Sequence, residues 1–163
     1  MTAIANFQLL ANFNTWANTN IFSSCKELDD KEYMKDRKAF FSSIHGTLNH
    51  LLVVDRTYIS RIEGIGHGLK SLDQILFESL LQLEEARIKE DKRLVDLVNS
   101  LPEESMQKEI TYKGFETGNT TYTINILLIT LFNHQTHHRG QIHNMLSQAG
   151  MKPPPIDIPD FIE

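Results

Sequence analysis

The sequence predicts an all-α protein: a four-helix bundle with a long first connection and an irregular insertion before the last helix. Four segments carry apolar residues at spacings of three and four, which is the period of one helix face. The segments have about 20 to 28 residues, so the helices would be about 30 to 42 Å long. Helices of such similar length favour a bundle. We expect a single domain over residues 1–163.

The first helix is predicted over about residues 3–22, where Phe7, Leu10 and Ala11 recur at helical spacing. An acidic, polar stretch follows, KELDDKEYMKDR at 26–37. We interpret it as a long connection that contains a short turn of helix. Because a connection of this length can let two helices run parallel, the order of the helices in the bundle stays open.

The second helix is predicted over about residues 38–63 and ends at the glycine-rich run 64–68. Glycine readily takes the left-handed conformation that closes a helix. The third helix is predicted to begin with the capping box SLDQ at 71–74, in which serine and glutamine satisfy open backbone N–H groups. It is expected to stop before Pro102.

The segment 103–121 differs from its surroundings. Its part ITYKGFETGNTT at 110–121 is rich in threonine and glycine, which predicts an irregular or short hairpin insertion. The last helix is predicted over about 122–148 and ends at Gly150. The tail 152–163 holds four of the five prolines, so we expect it to be non-helical and packed over the bundle.

Composition excludes several classes of function. Apolar residues make up 40% of the chain and charged residues 23%, as in soluble globular proteins. The net charge is −5 and no basic stripe is present, which argues against binding to nucleic acid. No apolar run approaches the roughly 18 residues that cross a bilayer, and the N-terminus does not read as a signal peptide. We therefore expect a cytoplasmic protein without a membrane partner. The single Cys25 allows no internal disulfide.

Four of the seven histidines lie in a ten-residue stretch inside the predicted last helix: His134, His137, His138 and His143. At about 100° per residue, His138 falls inside the apolar stripe of this helix and His134 at its edge. The other two point away from it. Two imidazoles four residues apart can bind one cation, and Zn²⁺, Ni²⁺ and Cu²⁺ all accept imidazole nitrogen. The alternative is a pair of buried histidines satisfied by hydrogen bonds.

A third ligand is expected from another helix. The second helix offers His45 and His50, which border opposite sides of its apolar stripe. Periodicity does not choose between them.

Two segments, SIHGTLNHLLVVDRTYISRIEG at 43–64 and FNHQTHHRGQIHNMLSQAG at 132–150, resemble those of the DinB family of four-helix-bundle metalloproteins. The run Asn-x-Trp-Ala-Asn at 14–18 and the proline-rich tail are similar to that family as well. The resemblance implies that one divalent metal ion is bound by three histidines, which are His50, His134 and His138. It thereby favours His50 over His45. One departure is Tyr58, where many relatives have tryptophan.

The resemblance also implies a class of chemistry. The wider family includes thiol-dependent transferases and isomerases that use bacillithiol or mycothiol, and its name refers to gene induction by DNA damage. We expect a metal-dependent enzyme of the thiol S-transferase type, or a hydrolase, acting on a small-molecule substrate. Zinc or nickel is the first candidate metal, with iron, manganese or copper next, and a low-molecular-weight thiol is a candidate cosubstrate. The alternative is a non-catalytic, stress-associated metal-binding module.

No catalytic side chain is predicted beyond the metal ligands. Gln141 lies beside His134 and His138 on the helical wheel of the last helix. It is a candidate hydrogen-bond partner for a ligand imidazole or a bound water. His137 is a candidate for the same role, although a surface position suits it better. Relatives often form pairs, and Ile126 and Ile129 lie off the buried stripe of the last helix, so we expect a homodimer.

Four charged residues stand out on the second and third predicted helices. Asp55 and Arg56, a pair typical of the family, are expected to form ordinary ion pairs. Arg87 and Glu90 interrupt the leucine stripe of the third helix, and they either face a substrate cavity or mark a solvated break in the stripe.

Overall fold

The computed structural model describes residues 2–115 and 118–163. Over these residues the chain is mainly helical and has one small antiparallel sheet of two strands. Four helices in these ranges have 20 residues or more: α1 (Ala3–Cys25), α3 (Ile44–Glu63), α4 (Leu80–Ser100) and α5 (Ile124–Gln148). The shorter elements are α2 (Asp30–Met34), a 3₁₀ turn (Glu103–Gln107), β1 (Glu109–Lys113), β2 (Asn119–Thr123) and α6 (Ile158–Ile162).

The four long helices pack on one another so that α1 and α3 each contact both α4 and α5. Their apolar faces form two buried clusters. One cluster includes Ile21, Phe22, Leu48, Leu83 and Leu146. The other includes Phe7, Ile59, Leu94, Leu128 and Leu131. The mainly helical architecture is confirmed, while the regular four-helix bundle stays a prediction. Within the described ranges, no helix is both long enough and apolar enough to cross a membrane.

A buried layer of charged and amide side chains, contributed by all four long helices, lies between the two apolar clusters. At its centre, Nη2 of Arg87 lies 2.8 Å from Oδ2 of Asp55 and 2.9 Å from Oδ1 of Asp91. All three residues are buried. Burial raises the pKa of Asp91 to about 6 and also raises that of Asp55. The layer therefore depends on Arg87 to hold two desolvated carboxylates.

The same layer continues through hydrogen bonds from α1 and α5. Arg139 donates to the amide oxygen of Asn14 and, at 3.3 Å, to those of Asn18 and Gln135. The amide nitrogens of Asn14 and Asn18 donate in turn to Oδ1 of Asp91 at 3.2 and 3.0 Å. With two aspartates and two arginines, the layer is electrically balanced, as burial of charge requires.

Neither interpretation of Arg87 and Glu90 is correct, because both side chains are buried on α4 and pair within the protein. Glu90 accepts from Nε of Arg56 at 3.0 Å and from Nη1 of Arg93 at 2.8 Å. The prediction that Asp55 and Arg56 form ordinary ion pairs is confirmed.

Helix α3 begins at Ile44 rather than at residue 38, and the predicted start is wrong. Lys38 and Ser42 have φ angles of 58° and 62°, in the left-handed region, which interrupts a helix. The first suitable cap is Ser43, whose hydroxyl accepts from the N–H of Gly46 at 3.1 Å. The predicted end of this helix is confirmed, with Gly64 left-handed at φ 72°.

Helix α4 begins at Leu80, so the prediction that the capping box at 71–74 starts it is wrong. The segment before α4 stays irregular because the side chain of Asn49 on α3 forms hydrogen bonds with the backbone of Leu76 and Phe77. The amide oxygen of Asn49 accepts from the N–H groups of Leu76 and Phe77 at 2.8 and 3.1 Å, and its nitrogen donates to the Phe77 carbonyl at 3.2 Å.

The predicted hairpin is confirmed: β1 and β2 pair from Glu109↔Thr123 to Lys113↔Asn119. Positions 116 and 117 of the predicted insertion lie outside the described residues. Thr123 then caps α5 by accepting from the N–H of Ile126 at 3.3 Å.

The prediction of a non-helical tail is wrong in part, since the tail forms the short helix α6. Pro159 stands in the first turn of α6, where its missing N–H breaks no helical hydrogen bond. Phe161 of α6 contacts the rings of Phe13 and Trp16, with centroids 6.0 and 5.8 Å away. The amide nitrogen of Asn20 donates to the carbonyl of Pro155 at 3.2 Å. The tail therefore contacts α1.

Glu103 caps the first turn of α1 from far along the chain, because its carboxylate accepts from the N–H groups of Ala3 and Ile4 at 3.1 and 2.9 Å. The bond from Ile4 contributes most to lowering the pKa of Glu103. A carboxyl group with a lowered pKa stabilises the fold at pH values above its ordinary pKa of 4.5. This stabilisation is lost as the pH falls through the folded-state pKa. We expect Glu103→Gln to lower the melting temperature slightly at pH 7, with the difference shrinking below pH 4.5. The exposed neighbour Glu104→Gln is the control, and an equal effect of both changes would contradict the cap.

Candidate metal centre

Three histidines from two helices converge inside the protein. His50 lies on α3 and His134 and His138 lie one turn apart on α5, and their ligand nitrogens all lie within 4.8 Å of one another. His50 and His138 are buried and His134 is half-buried. Within residues 2–115 and 118–163, no other group of three histidine, cysteine, aspartate or glutamate side chains converges in this way.

Hydrogen bonds fix the orientation of two of the three rings. Nδ1 of His50 lies 2.7 Å from the carbonyl oxygen of Leu72, and Nδ1 of His138 lies 2.7 Å from Oε1 of Gln141. An oxygen of either kind only accepts, so in both rings Nδ1 carries the proton. The Nε2 atoms of His50 and His138 therefore present lone pairs, as in metal sites whose ligands are oriented by a surrounding layer of acceptors.

The donor set fits a divalent cation. Nε2 of His50 and Nε2 of His134 are 3.0 Å apart, close to the roughly 3.3 Å expected between two imidazole nitrogens on one zinc ion. Nδ1 of His134 is buried and has no hydrogen-bond partner among the described residues. Three imidazoles suit zinc, nickel, copper or iron, and they leave a coordination position open for another ligand.

Burial also keeps the three imidazoles uncharged. It lowers the pKa of His50 to about 4 and that of His134 to about 3, and it lowers that of His138 as well. Proximity among the rings adds to the effect for His50 and His134. Neutral imidazole is the form that binds metal, so at neutral pH the cluster needs to release no proton to do so.

A cavity of about 380 Å³ opens beside the cluster, and its walls come from α3, α5, the hairpin and the irregular segment before α4. This volume lies in the range of small-molecule sites. The lining residues are His50, Val54, Thr57, Tyr58, Arg61, Leu72, Tyr112, Gly114, Phe115, Thr120, Tyr122 and His134. The cluster thus borders a space that can hold a ligand.

In a comparison with known families, residues 1–163 match the model of the DinB family. The chain belongs to the DinB family. A similar relative is Protein DinB of Bacillus subtilis (strain 168), 31% identical over 157 residues that cover 91% of this chain and 88% of that protein. The resemblance inferred from the sequence is confirmed, and family membership together with the three-histidine cluster fits metal binding in this DinB protein.

The remaining histidines of the DinB chain have other surroundings. His45 is buried, and its Nδ1 lies 3.0 Å from the hydroxyl of Tyr33 while its Nε2 lies 3.3 Å from the amide of Asn49. It is a hydrogen-bonded core histidine outside the cluster. His137 is exposed, and its Nε2 lies 3.2 Å from the amide nitrogen of Gln141, which links it indirectly to the cluster.

Phe41, which the sequence did not single out for the site, covers one face of the candidate ligand His50 in this DinB protein. Its ring stacks on His50 with centroids 3.8 Å apart and planes 19° apart. Gly46 makes this position possible, because a Cβ there would lie 2.2 Å from the carbonyl oxygen of Phe41. A glycine three residues into a helix was the available signal, since glycine is unfavourable there without such a contact.

We expect Gly46→Ala to destabilise the DinB chain by about 1–3 kcal/mol, the usual result of overpacking, and to weaken metal binding by displacing Phe41 from His50. Gly140→Ala on α5 is the control. Nothing among the described residues lies within 4 Å of a Cβ at position 140, so this change should stabilise the helix by up to about 1 kcal/mol. Denaturant unfolding and metal titration measure both effects, and equal results for the two variants would refute the role of Gly46.

Proposed function

We propose that this DinB protein binds one divalent metal ion through His50, His134 and His138 and is a metal-dependent enzyme of the thiol S-transferase type. The observation that carries the proposal is the convergence of three neutral imidazoles at the edge of a cavity of small-molecule size. A bound divalent ion would supply Lewis acidity, which lowers the pKa of a thiol or water. Zinc or nickel is the first candidate, followed by iron, manganese or copper.

The chain's own residues prepare the site for such a reaction. The Leu72 carbonyl and Gln141 hold two ligand rings in the required tautomer. The ring of Phe41 shields His50 from water on one face. The cavity leaves room for a small molecule next to the cluster, and hydrolysis is the nearest alternative to thiol transfer. We place this activity in the cytoplasm.

A second candidate is a non-catalytic module, made after DNA damage, in which the ion serves stability. The ligands come from two different helices, so an ion would tie α3 to α5. This candidate predicts a large fall in melting temperature on metal removal and no turnover.

The decisive experiment uses untagged protein. Elemental analysis should find about one zinc or nickel per chain, and bacillithiol or mycothiol with a chromogenic electrophile should be turned over. Chelation should abolish the turnover and added metal should restore it. Full activity after metal removal would end the enzyme proposal, and bound metal without any turnover would favour the module.

We also propose that the four long helices form a bundle and that two chains pair. Ile126 and Ile129 on α5 are 42% and 48% exposed, which gives α5 an apolar outer strip. Sedimentation of only an 18.7 kDa species would exclude the pair.

A further inference from the structure

Arg61 lies in the wall of the same cavity as His50 and His134. His50 and Arg61 are separated by eleven residues of α3, or about 16 Å along the helix axis. Helical side chains lean toward the N-terminus, so the guanidinium group is directed back along the helix toward His50. The cavity therefore has the histidine cluster at one end and a cation at the other.

Arg61 differs from the other five arginines in its partners. Each of those five has an ion-pair or hydrogen-bond partner in the protein: Arg37 with Glu32, Arg56 with Glu90, Arg87 with Asp55, Arg93 with Glu63 and Arg139 with Asn14. Arg61 has no ion pair among the described residues, and its buried Nε has no hydrogen-bond partner there. The residues described as lining the cavity include no aspartate or glutamate.

Two aromatic rings hold the guanidinium in place. Its Cζ lies 3.8 Å from the ring centroid of Tyr112 on β1 and 5.3 Å from that of Tyr58 on α3. Stacking on a ring occupies a face of the planar guanidinium and leaves its N–H edge for another group. A carboxylate is planar and can accept two parallel N–H bonds from such an edge.

We propose that Arg61 binds a carboxylate of the small molecule that occupies this cavity, so that the ligand is an elongated carboxylate whose other end reaches the histidine cluster. This inference deepens the proposed function and rests on the same cavity. It assigns a specificity-determining residue to the end of the cavity away from the metal ligands.

The test compares two probes that differ only in charge: 3-mercaptopropionate and its neutral amide, 3-mercaptopropionamide. Their dissociation constants are measured by thermal shift for wild type and Arg61→Gln, with protein first stripped of metal and then loaded with zinc. Wild type should bind the carboxylate about 10- to 100-fold more tightly than the amide, and Arg61→Gln should remove this preference. Arg61→Lys should keep part of it.

A control variant and a stability measurement separate carboxylate binding from other roles. Arg93→Gln removes the same charge from α4, outside this cavity, and should leave the preference unchanged. If Arg61 only fastens the hairpin through Tyr112, Arg61→Gln will lower the melting temperature while the preference persists, and the proposal fails. It also fails if wild type binds neither probe or both equally. Because the metal-free arm needs no ion, a protein without metal would refute the proposed function and leave the role of Arg61 decided separately.

Discussion

Replacing any one of His50, His134 and His138 by alanine is expected to weaken the binding of Zn²⁺ or Ni²⁺ by roughly two to three orders of magnitude. Structural zinc binding contributes about 10–16 kcal/mol from four ligands in peptides, or roughly 2.5–4 kcal/mol for each. Each variant also leaves the other two imidazoles in place. Competition with a chromophoric chelator measures the affinity, and elemental analysis measures retained metal.

His143→Ala is the matched control, because this histidine lies on the same helix and outside the cluster. Its metal affinity should equal that of wild type. Gln141→Leu should fall between the two cases, with a loss of about 10- to 100-fold, since it removes only the acceptor that orients His138. Undiminished affinity in the His50→Ala variant would rule out the proposed ligand set.

The largest expected effect on stability comes from Arg87→Met. This change leaves the buried carboxylates of Asp55 and Asp91 without their shared cation, and breaking a buried pair in this way costs about 3–5 kcal/mol. Such a loss is a large part of the about 5–15 kcal/mol that stabilises a typical domain. Urea unfolding at pH 7 measures it.

The control for Arg87→Met is Lys92→Met on the same helix, whose exposed pair with Asp96 contributes about 0–1 kcal/mol. The deficit of Arg87→Met should shrink as the pH falls below 6. Burial holds the folded-state pKa of Asp91 above its unfolded value, so protonation stabilises the fold at low pH and this contribution is lost as the pH rises. A loss no greater than that of Lys92→Met would show that the buried layer does not depend on Arg87.

Helical periodicity predicted the local part of the candidate site. Position 138 falls inside the apolar stripe and position 134 at its edge, and the structure buries His138 and half-buries His134. The choice between His45 and His50 was not available from periodicity, because both are buried on α3. The two histidines differ in their contacts with distant segments. His45 forms a hydrogen bond with the hydroxyl of Tyr33 on α2, while the Leu72 carbonyl orients His50.

Two of the errors, at the capping box and at Arg87, have a common physical origin in side chains that act across helices. The capping box at 71–74 is locally sound, yet Asn49 of α3 holds the segment that follows it in an irregular form. Arg87 reads as a break in an apolar stripe, and only the approach of Asp55 and Asp91 makes its burial favourable. The asparagines at 14 and 18, one turn apart on an apolar helix, were the available signal for this layer.

The candidate ligands and part of the cavity wall lie on different elements of the fold, and this separation bears on how such proteins diversify. The candidate ligands stand on α3 and α5, whereas strands β1 and β2 contribute Tyr112, Thr120 and Tyr122 to the cavity wall. We therefore expect exchange of these residues between homologues to alter which ligands fit the cavity, while the helices that carry the candidate ligands stay unchanged. A combinatorial library of variants at these three positions should change ligand selectivity and leave the three-histidine cluster intact.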